Sequence, residues 1–181
     1  EIETESWEKN LGLLTQHFNT YPAFNVEENI AFGDISKKYS KREILSASDK
    51  ANVTGFVKKY PSNFDQLLSI QFDGGIDPSW GQWQRIGIAR TLYRNPVVII
   101  LDEPTSAIDA QAEYEIFQNI NKQTEGKTVI YVSHRYSTVR NADLICVLKD
   151  GQIVERGRHS ELIALNGEYA KNFKLQAKGY E

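Results

Sequence analysis

The chain has 181 residues, 40% of them hydrophobic and 25% charged, with a formal net charge of -3. This length suggests one domain able to bury roughly 70% of its unfolded surface. The mild acidity speaks against a protein that coats nucleic acid through a basic face. The longest aliphatic run, Val97 to Leu101, falls far short of the ~20 apolar residues that span a bilayer. In chain order, the front half is polar and leans to helix. Asn25 is a helix cap before "VEENIAF", with Glu27 and Glu28 in the first turn, where the helix dipole favours acids. "KREILSASDKANVTGFVKKYP" has helical spacing that ends before Pro61.

The back half changes character. "VVIIL", "TVIYVS" and "ADLICVL" read as short strands, separated by the helical stretch "AQAEYEIFQNINKQ" and a shorter helix. Strands alternating with helices imply parallel strands joined by crossovers. "LICVLKDGQIVERG" reads as two strands around Asp150 and Gly151, an antiparallel hairpin edge. "HSELIALNGEYAKNFKLQ" gives two helical pieces broken at Gly167. The single cysteine, Cys146, excludes an internal disulfide; in the apolar run "LICVL" it is expected in the core of a protein from a reducing compartment. No methionine occurs, so Glu1 is expected to be an internal or processed position of a longer polypeptide.

One stretch, "EGKT" at Glu125 to Thr128, imitates the end of a phosphate-binding loop, G-x-x-x-x-G-K-[ST]. A working loop follows a strand and opens a helix, so that backbone N–H groups face the phosphates. Here a helix comes first and a strand follows, and Asn121 stands where the first glycine belongs. Lys127 therefore reads as a surface residue of a helix-to-strand turn, with Gly126 stopping the helix.

Three other constellations carry more chemistry. In "VVIILDEP" the carboxylates of Asp102 and Glu103 follow a strand, at the edge where open α/β sheets place ligands. Asp102 suits Mg²⁺, which takes few carboxylates and keeps much of its water. Glu103 suits the polarisation of a water that attacks a γ-phosphate. In "DPSWGQWQRIGIARTLYRNP", Ser79 caps a largely buried helix whose first turn holds Gly81 and Gln82, a start suited to an anion. In "YVSHRYSTVRNADL", His134 follows a strand directly; a lone histidine there is commonly structural, and its place after the other two constellations is what singles it out.

Taken together these residues resemble the ATP-binding cassette (ABC) ATPases, in particular the nucleotide-binding domains of exporter-type transporters. "PSWGQWQR" is similar to the family signature, Leu-Ser-Gly-Gly-Gln followed by Gln-Arg, and "VVIILDEP" to the Walker B strand with its catalytic glutamate. "SAID", Ser106 to Asp109, resembles the D-loop, His134 the switch histidine, and "LGLLTQHF" the strand and Q-loop with its glutamine at Gln16. The resemblance implies an α/β fold of the P-loop NTPase kind: a mostly parallel sheet with flanking helices (residues 1–24 and 96–181) and a helical subdomain (25–95) carrying the signature helix. It implies ATP and Mg²⁺ as cofactors, Asp102 and Gln16 on the metal and water side, Glu103 as general base and His134 at the γ-phosphate. Ser79, Gly81, Gln82 and Asp109 would serve nucleotide binding, the signature residues facing ATP on a second nucleotide-binding domain paired head to tail. The Gln16–Phe24 region, with Phe18, Tyr21 and Phe24, would receive a transmembrane domain, placing the chain on the cytoplasmic face of a membrane.

Three departures from the pattern stand out. Pro78 replaces the signature leucine, Trp80 its first glycine, and His17 the acidic residue that commonly follows Gln16. The phosphate loop itself is expected upstream of Glu1, so the isolated chain is expected to hydrolyse ATP negligibly. Two alternatives stay open: a degenerate partner that lends its signature helix to another subunit, and a DNA-repair or chromosome-maintenance ATPase. The second is opposed by the lack of heptad arms, and nucleic acid is not an expected partner.

Overall fold

The computed structural model describes residues 3–104, 108, 110–124 and 126–178. The chain divides after Val132 into two compact units. The first contains α1 (Thr4–Asn10), β1 (Leu11–Leu14), α2 (Val26–Ala31), α3 (Lys41–Lys50), α4 (Thr54–Val57), a 3-10 turn (Asn63–Asp65), α5 (Trp80–Tyr93), β2 (Val98–Asp102), α6 (Ala110–Gln123) and β3 (Thr128–Val132).

Its three strands form one sheet in the order β1-β2-β3, parallel throughout, with Leu13, Ile100 and Ile130 in register. All three C-terminal ends therefore share one edge. Alternation along the strands splits the sheet into two faces. Leu14, Ile99 and Leu101 are buried with Ile86 and Ile88 of α5 and Ile116 and Ile120 of α6 in one core. Each such aliphatic side chain contributes ~1.5–3 kcal/mol by leaving water. The other face is more open, with Leu13, Ile130 and Val132 exposed by 51%, 44% and 50%. On β2 itself Ile99 and Leu101 are buried, and Val98 and Ile100 are partly buried.

Local chemistry explains the helix ends. Asn25 caps α2 as expected: its Oδ1 accepts from the Glu28 N–H (2.8 Å), and its own N–H donates to Glu28 Oε2 (2.9 Å). The run expected as one helix before Pro61 is two, α3 and α4. Asn52 adopts a left-handed φ of 54°, its N–H donates to the Asp49 carbonyl (3.2 Å), and the Val53 N–H to the Ser48 carbonyl (2.8 Å). This paired closure ends α3. Helical spacing alone does not reveal an asparagine that takes the left-handed position. Helix α5 ends at another left-handed asparagine, Asn95 (φ 57°), whose N–H donates to the Leu92 carbonyl (3.0 Å), and Pro96, which has no N–H, follows.

The second unit contains α7 (Tyr136–Val139), β4 (Ile145–Lys149), β5 (Gln152–Gly157), α8 (His159–Leu165) and α9 (Glu168–Lys178). β4 and β5 form the antiparallel hairpin, turned by Asp150 and Gly151 with φ of 52° and 76°, the mirror-image turn that suits strand twist. The two closing helices separate where expected, at Asn166 (φ 51°) and Gly167. The Glu155 carboxylate on β5 accepts from the N–H groups of Glu168 (2.5 Å) and Tyr169 (3.1 Å) at the start of α9. A small core gathers Ile145, Leu162 and Tyr169. Cys146 does not join it: the thiol is free and exposed, a correction to the core placement. In a hairpin with period-2 alternation, the neighbours Ile145 and Val147 take the inward face and Cys146 the outward one.

Among the described residues, no helix is long and apolar enough to cross a membrane.

Candidate functional site

The C-terminal edge of the parallel sheet gathers the acidic and amide side chains. Strand β2 runs out at Asp102, beside Val132 of β3. The next residue, Glu103, adopts φ 46°, a left-handed conformation that strains a residue bearing Cβ, at ~1–3 kcal/mol, and that surrounding contacts must hold. Two contacts on its backbone do so. The Glu103 N–H donates to the Val132 carbonyl (2.8 Å), and the Glu103 carbonyl accepts from Gln84 Nε2 of α5 (3.1 Å). The chain is thereby turned out of the strand, and the carboxylate is aimed differently from that of Asp102.

Gln16 follows β1 by two residues and meets this carboxylate: its Nε2 donates to Glu103 Oε2 at 3.1 Å. A carboxylate can only accept, so the pairing fixes which end of the amide faces Glu103. The amide oxygen is the end that remains suited to a cation or a water. Among the described residues no group of three or more His, Cys, Asp or Glu forms a metal cage. One carboxylate, Asp102, with one amide oxygen is the sparse donor set that Mg²⁺ accepts when phosphate and water complete its shell.

The second cluster lies at the start of α5. Ser79 Oγ accepts from the Gln82 N–H (3.3 Å), and Gln82 Oε1 accepts from the Ser79 N–H (2.8 Å), a reciprocal capping box. The Gln82 side chain therefore works first as a cap. The early N–H groups of the helix, Trp80 and Gly81 among them, have no intrahelical carbonyl to bond, which suits an anion. Buried Gln84 and half-buried Trp80 extend this helix face towards the β1 loop and Glu103.

Sequence reasoning missed the clamp that holds these parts. Arg90 of α5 donates from Nε to the Asn29 carbonyl (2.7 Å), from one Nη to the Asn19 carbonyl (2.7 Å) and from the other to Asn29 Oδ1 (3.0 Å). Its guanidinium also lies over the Tyr21 ring, 4.6 Å from the centroid. Burial, partly offset by Tyr21, pushes this group down to about 10, so it stays charged at neutral pH. Asn29 in turn donates from Nδ2 to the carbonyls of Tyr21 and Phe24 (2.9 and 3.1 Å). An Arg four residues beyond Ile86 on a buried helix was the available signal. Tyr21 and Phe24 both set their rings edge-on to Phe32, at 5.2 and 4.8 Å.

Lys127 stands at the opposite, N-terminal edge of the sheet, one residue before β3. Its Nζ donates to Asn95 Oδ1 (2.6 Å), Gly126 turns the chain at φ 80°, and burial pushes the amine below its ordinary value. The "GKT" stretch is thus a turn on the far side from Glu103. His134 belongs to the second unit, where its carbonyl accepts from Gln176 Nε2 (3.0 Å). Of the D-loop stretch, Ser106 and Asp109 lie outside the described residues, and Ile108 is buried.

This arrangement is shared with known proteins. A family model described as ABC transporter matches residues 1–106. The chain belongs to the ABC transporter family. Among its ABC relatives, multidrug resistance protein homolog 65 of Drosophila melanogaster is 42% identical over 166 residues, 92% of this chain and 12% of that protein. An ATP-dependent lipid A-core flippase of Syntrophus aciditrophicus (strain SB) is 39% identical over 181 residues, 98% of this chain and 29% of that protein. A solved structure of a bacterial Atm1-family ABC exporter with ATP bound superposes with a TM-score of 0.85 at 31% identity, over 94% of this chain and 29% of that one. The chain therefore spans less than a third of the ABC proteins it matches, and its α/β fold is that of an exporter nucleotide-binding domain.

Proposed function

We propose that this chain is part of the ATP-hydrolysing subunit of an ABC exporter, coupling ATP hydrolysis to transport of a substrate across a membrane. The observation that carries the reading is the Gln16–Glu103 pair at the C-terminal edge of the sheet, with Glu103 held in a left-handed conformation. Glu103 is the general base: its carboxylate accepts a proton from the attacking water. Gln16 Nε2 occupies one carboxylate oxygen and so orients the other towards that water. The contacts from Val132 and Gln84 keep the Glu103 backbone from relaxing.

Asp102 and the Gln16 amide oxygen are the residues that would hold Mg²⁺, which supplies charge neutralisation at the phosphates when bound. The His134 ring N–H donates to a γ-phosphate oxygen. Ser79, Gly81 and Gln82, with Asp109, serve the nucleotide between this domain and a second one paired head to tail. Residues 1–24 and 96–181 make the catalytic core part and 25–95 the helical subdomain. The Gln16–Phe24 segment docks a transmembrane domain at the cytoplasmic face.

The test is Glu103→Gln in the complete transporter, with ATP turnover and nucleotide binding measured together. Turnover is expected to fall by ~10²–10⁴ with binding retained. Half-exposed Trp80 in the signature position favours one second reading, a degenerate domain that lends its signature helix to an active partner. In that case Glu103→Gln leaves turnover at the wild-type rate.

A further inference from the structure

Trp80 is the first helical residue of α5, and its indole is 49% exposed. The covered part stacks on the Phe18 ring, with centroids 5.0 Å apart and planes inclined by 24°. Trp80, Gln84 and Gly87 follow one another at spacings of four and three residues, so they share a helix face. Gly87 completes the seat for Phe18. A Cβ at that position would stand 3.0 Å from Leu14 Cδ1 and 3.3 Å from Phe18 Cδ2, closer than packed carbons sit. Phe18 is therefore received by the bare backbone at Gly87 and by the indole of Trp80.

Two lines run from this face to Glu103. Directly, Gln84 donates to the Glu103 carbonyl (3.1 Å). Through the loop, Phe18 lies two residues after Gln16, whose amide holds the Glu103 carboxylate (3.1 Å). Holding Phe18 holds the loop that carries Gln16. With glycine at position 80, Phe18 would lose its stacking partner, leaving the contacts at Gly87 and Arg90 to tether the loop to α5.

We propose that Trp80 is a positioning residue for Glu103: by stacking on Phe18 it fixes the Gln16 loop, and so ties the start of the signature helix to the carboxylate of the same domain. This rests on the assignment of Glu103 as general base. The ring stands in for the absent glycine as a mechanical link and adds no contact to the reacting atoms.

The experiment uses the complete transporter, measuring steady-state ATP turnover. Trp80→Ala is expected to lower kcat ~3- to 10-fold, the worth of one aromatic stack, with KM for ATP moving by less than ~twofold. Trp80→Phe should restore most of the loss. Phe18→Ala should match Trp80→Ala, and the double variant should be no worse than either single one, because both remove the same contact. If Trp80→Ala fails to fold, Trp80→Leu, which keeps bulk without the ring, should give the same pattern.

Losses that add in the double variant, or a raised KM at unchanged kcat, would each overturn the inference. Glu103→Gln serves as the control. Wild-type turnover in that variant defeats the functional reading, whereas its inactivity beside wild-type kcat in Trp80→Ala defeats this inference alone.

Discussion

The two edges of the three-stranded sheet offer opposite lessons. At the N-terminal edge, Gly126, Lys127 and Thr128 spell the end of a phosphate loop, yet Lys127 is spent on the Asn95 carboxamide in a helix-to-strand turn. At the C-terminal edge, Asp102 and Glu103 are only two acids after a strand by spelling, yet Glu103 is turned out of the sheet, held by its backbone and met by Gln16. Which end of a strand a motif occupies decides what it can do. In a parallel sheet all C-terminal ends converge, so side chains from distant sequence positions meet there, whereas the N-terminal edge receives the closing turns.

One substitution at each edge separates the two roles most directly. Glu103→Gln is expected to remove ~10²–10⁴ of ATP turnover, and Lys127→Met to change it by less than ~twofold. A large loss from Lys127→Met would return the phosphate-loop reading to that turn.

Arg90→Lys tests the clamp that holds the Asn19–Asn29 segment on α5. A lysine cannot reproduce the forked contacts to Asn19 and Asn29, so stability should fall by ~2–3 kcal/mol in denaturant titration. Protection of the Asn19–Asn29 segment from amide exchange should fall with it. Ser79→Ala removes the cap of α5 and should lower stability by ~1 kcal/mol, leaving the C-terminal sheet edge otherwise intact.

The smallest expected effect concerns Tyr60, far from both edges in role. Its hydroxyl is buried without a hydrogen-bond partner among the described residues, and burial, partly opposed by Arg85, pushes the phenol up to about 12. A raised value means that the folded state favours the neutral phenol. The associated stability is intact below the ordinary value of about 10 and is lost as pH rises from there through about 12. Tyr60→Phe should leave Tm equal or higher at neutral pH and soften its fall across that alkaline window, as followed by thermal melts.

Much of the architecture was legible without coordinates. The caps at Asn25 and Ser79, the hairpin turn at Asp150 and Gly151, and the break at Gly167 are all local. Each depends on backbone chemistry within a few residues, and that is written in order along the chain. The motif series in its fixed order pointed to the ABC family, which the family model over residues 1–106 bears out. The misses were of another kind. The exposed face of Cys146 depends on which side of a hairpin is packed, and the split of α3 from α4 on Asn52 accepting a left-handed φ.

What the sequence determined by itself was the inventory: which residues could carry charge, cap a helix or turn a strand, and in what order they come. Only the tertiary structure decided their company. Gln16 and Glu103, 87 positions apart, share a hydrogen bond, Phe18 stacks on Trp80, and Arg90 reaches Asn19 across 71 positions. Spacing along a chain governs contacts within one helix or hairpin, because backbone geometry sets those distances. Contacts across the sheet edge arise only when separate elements pack, and packing is what turned Lys127 away from chemistry and Glu103 towards it.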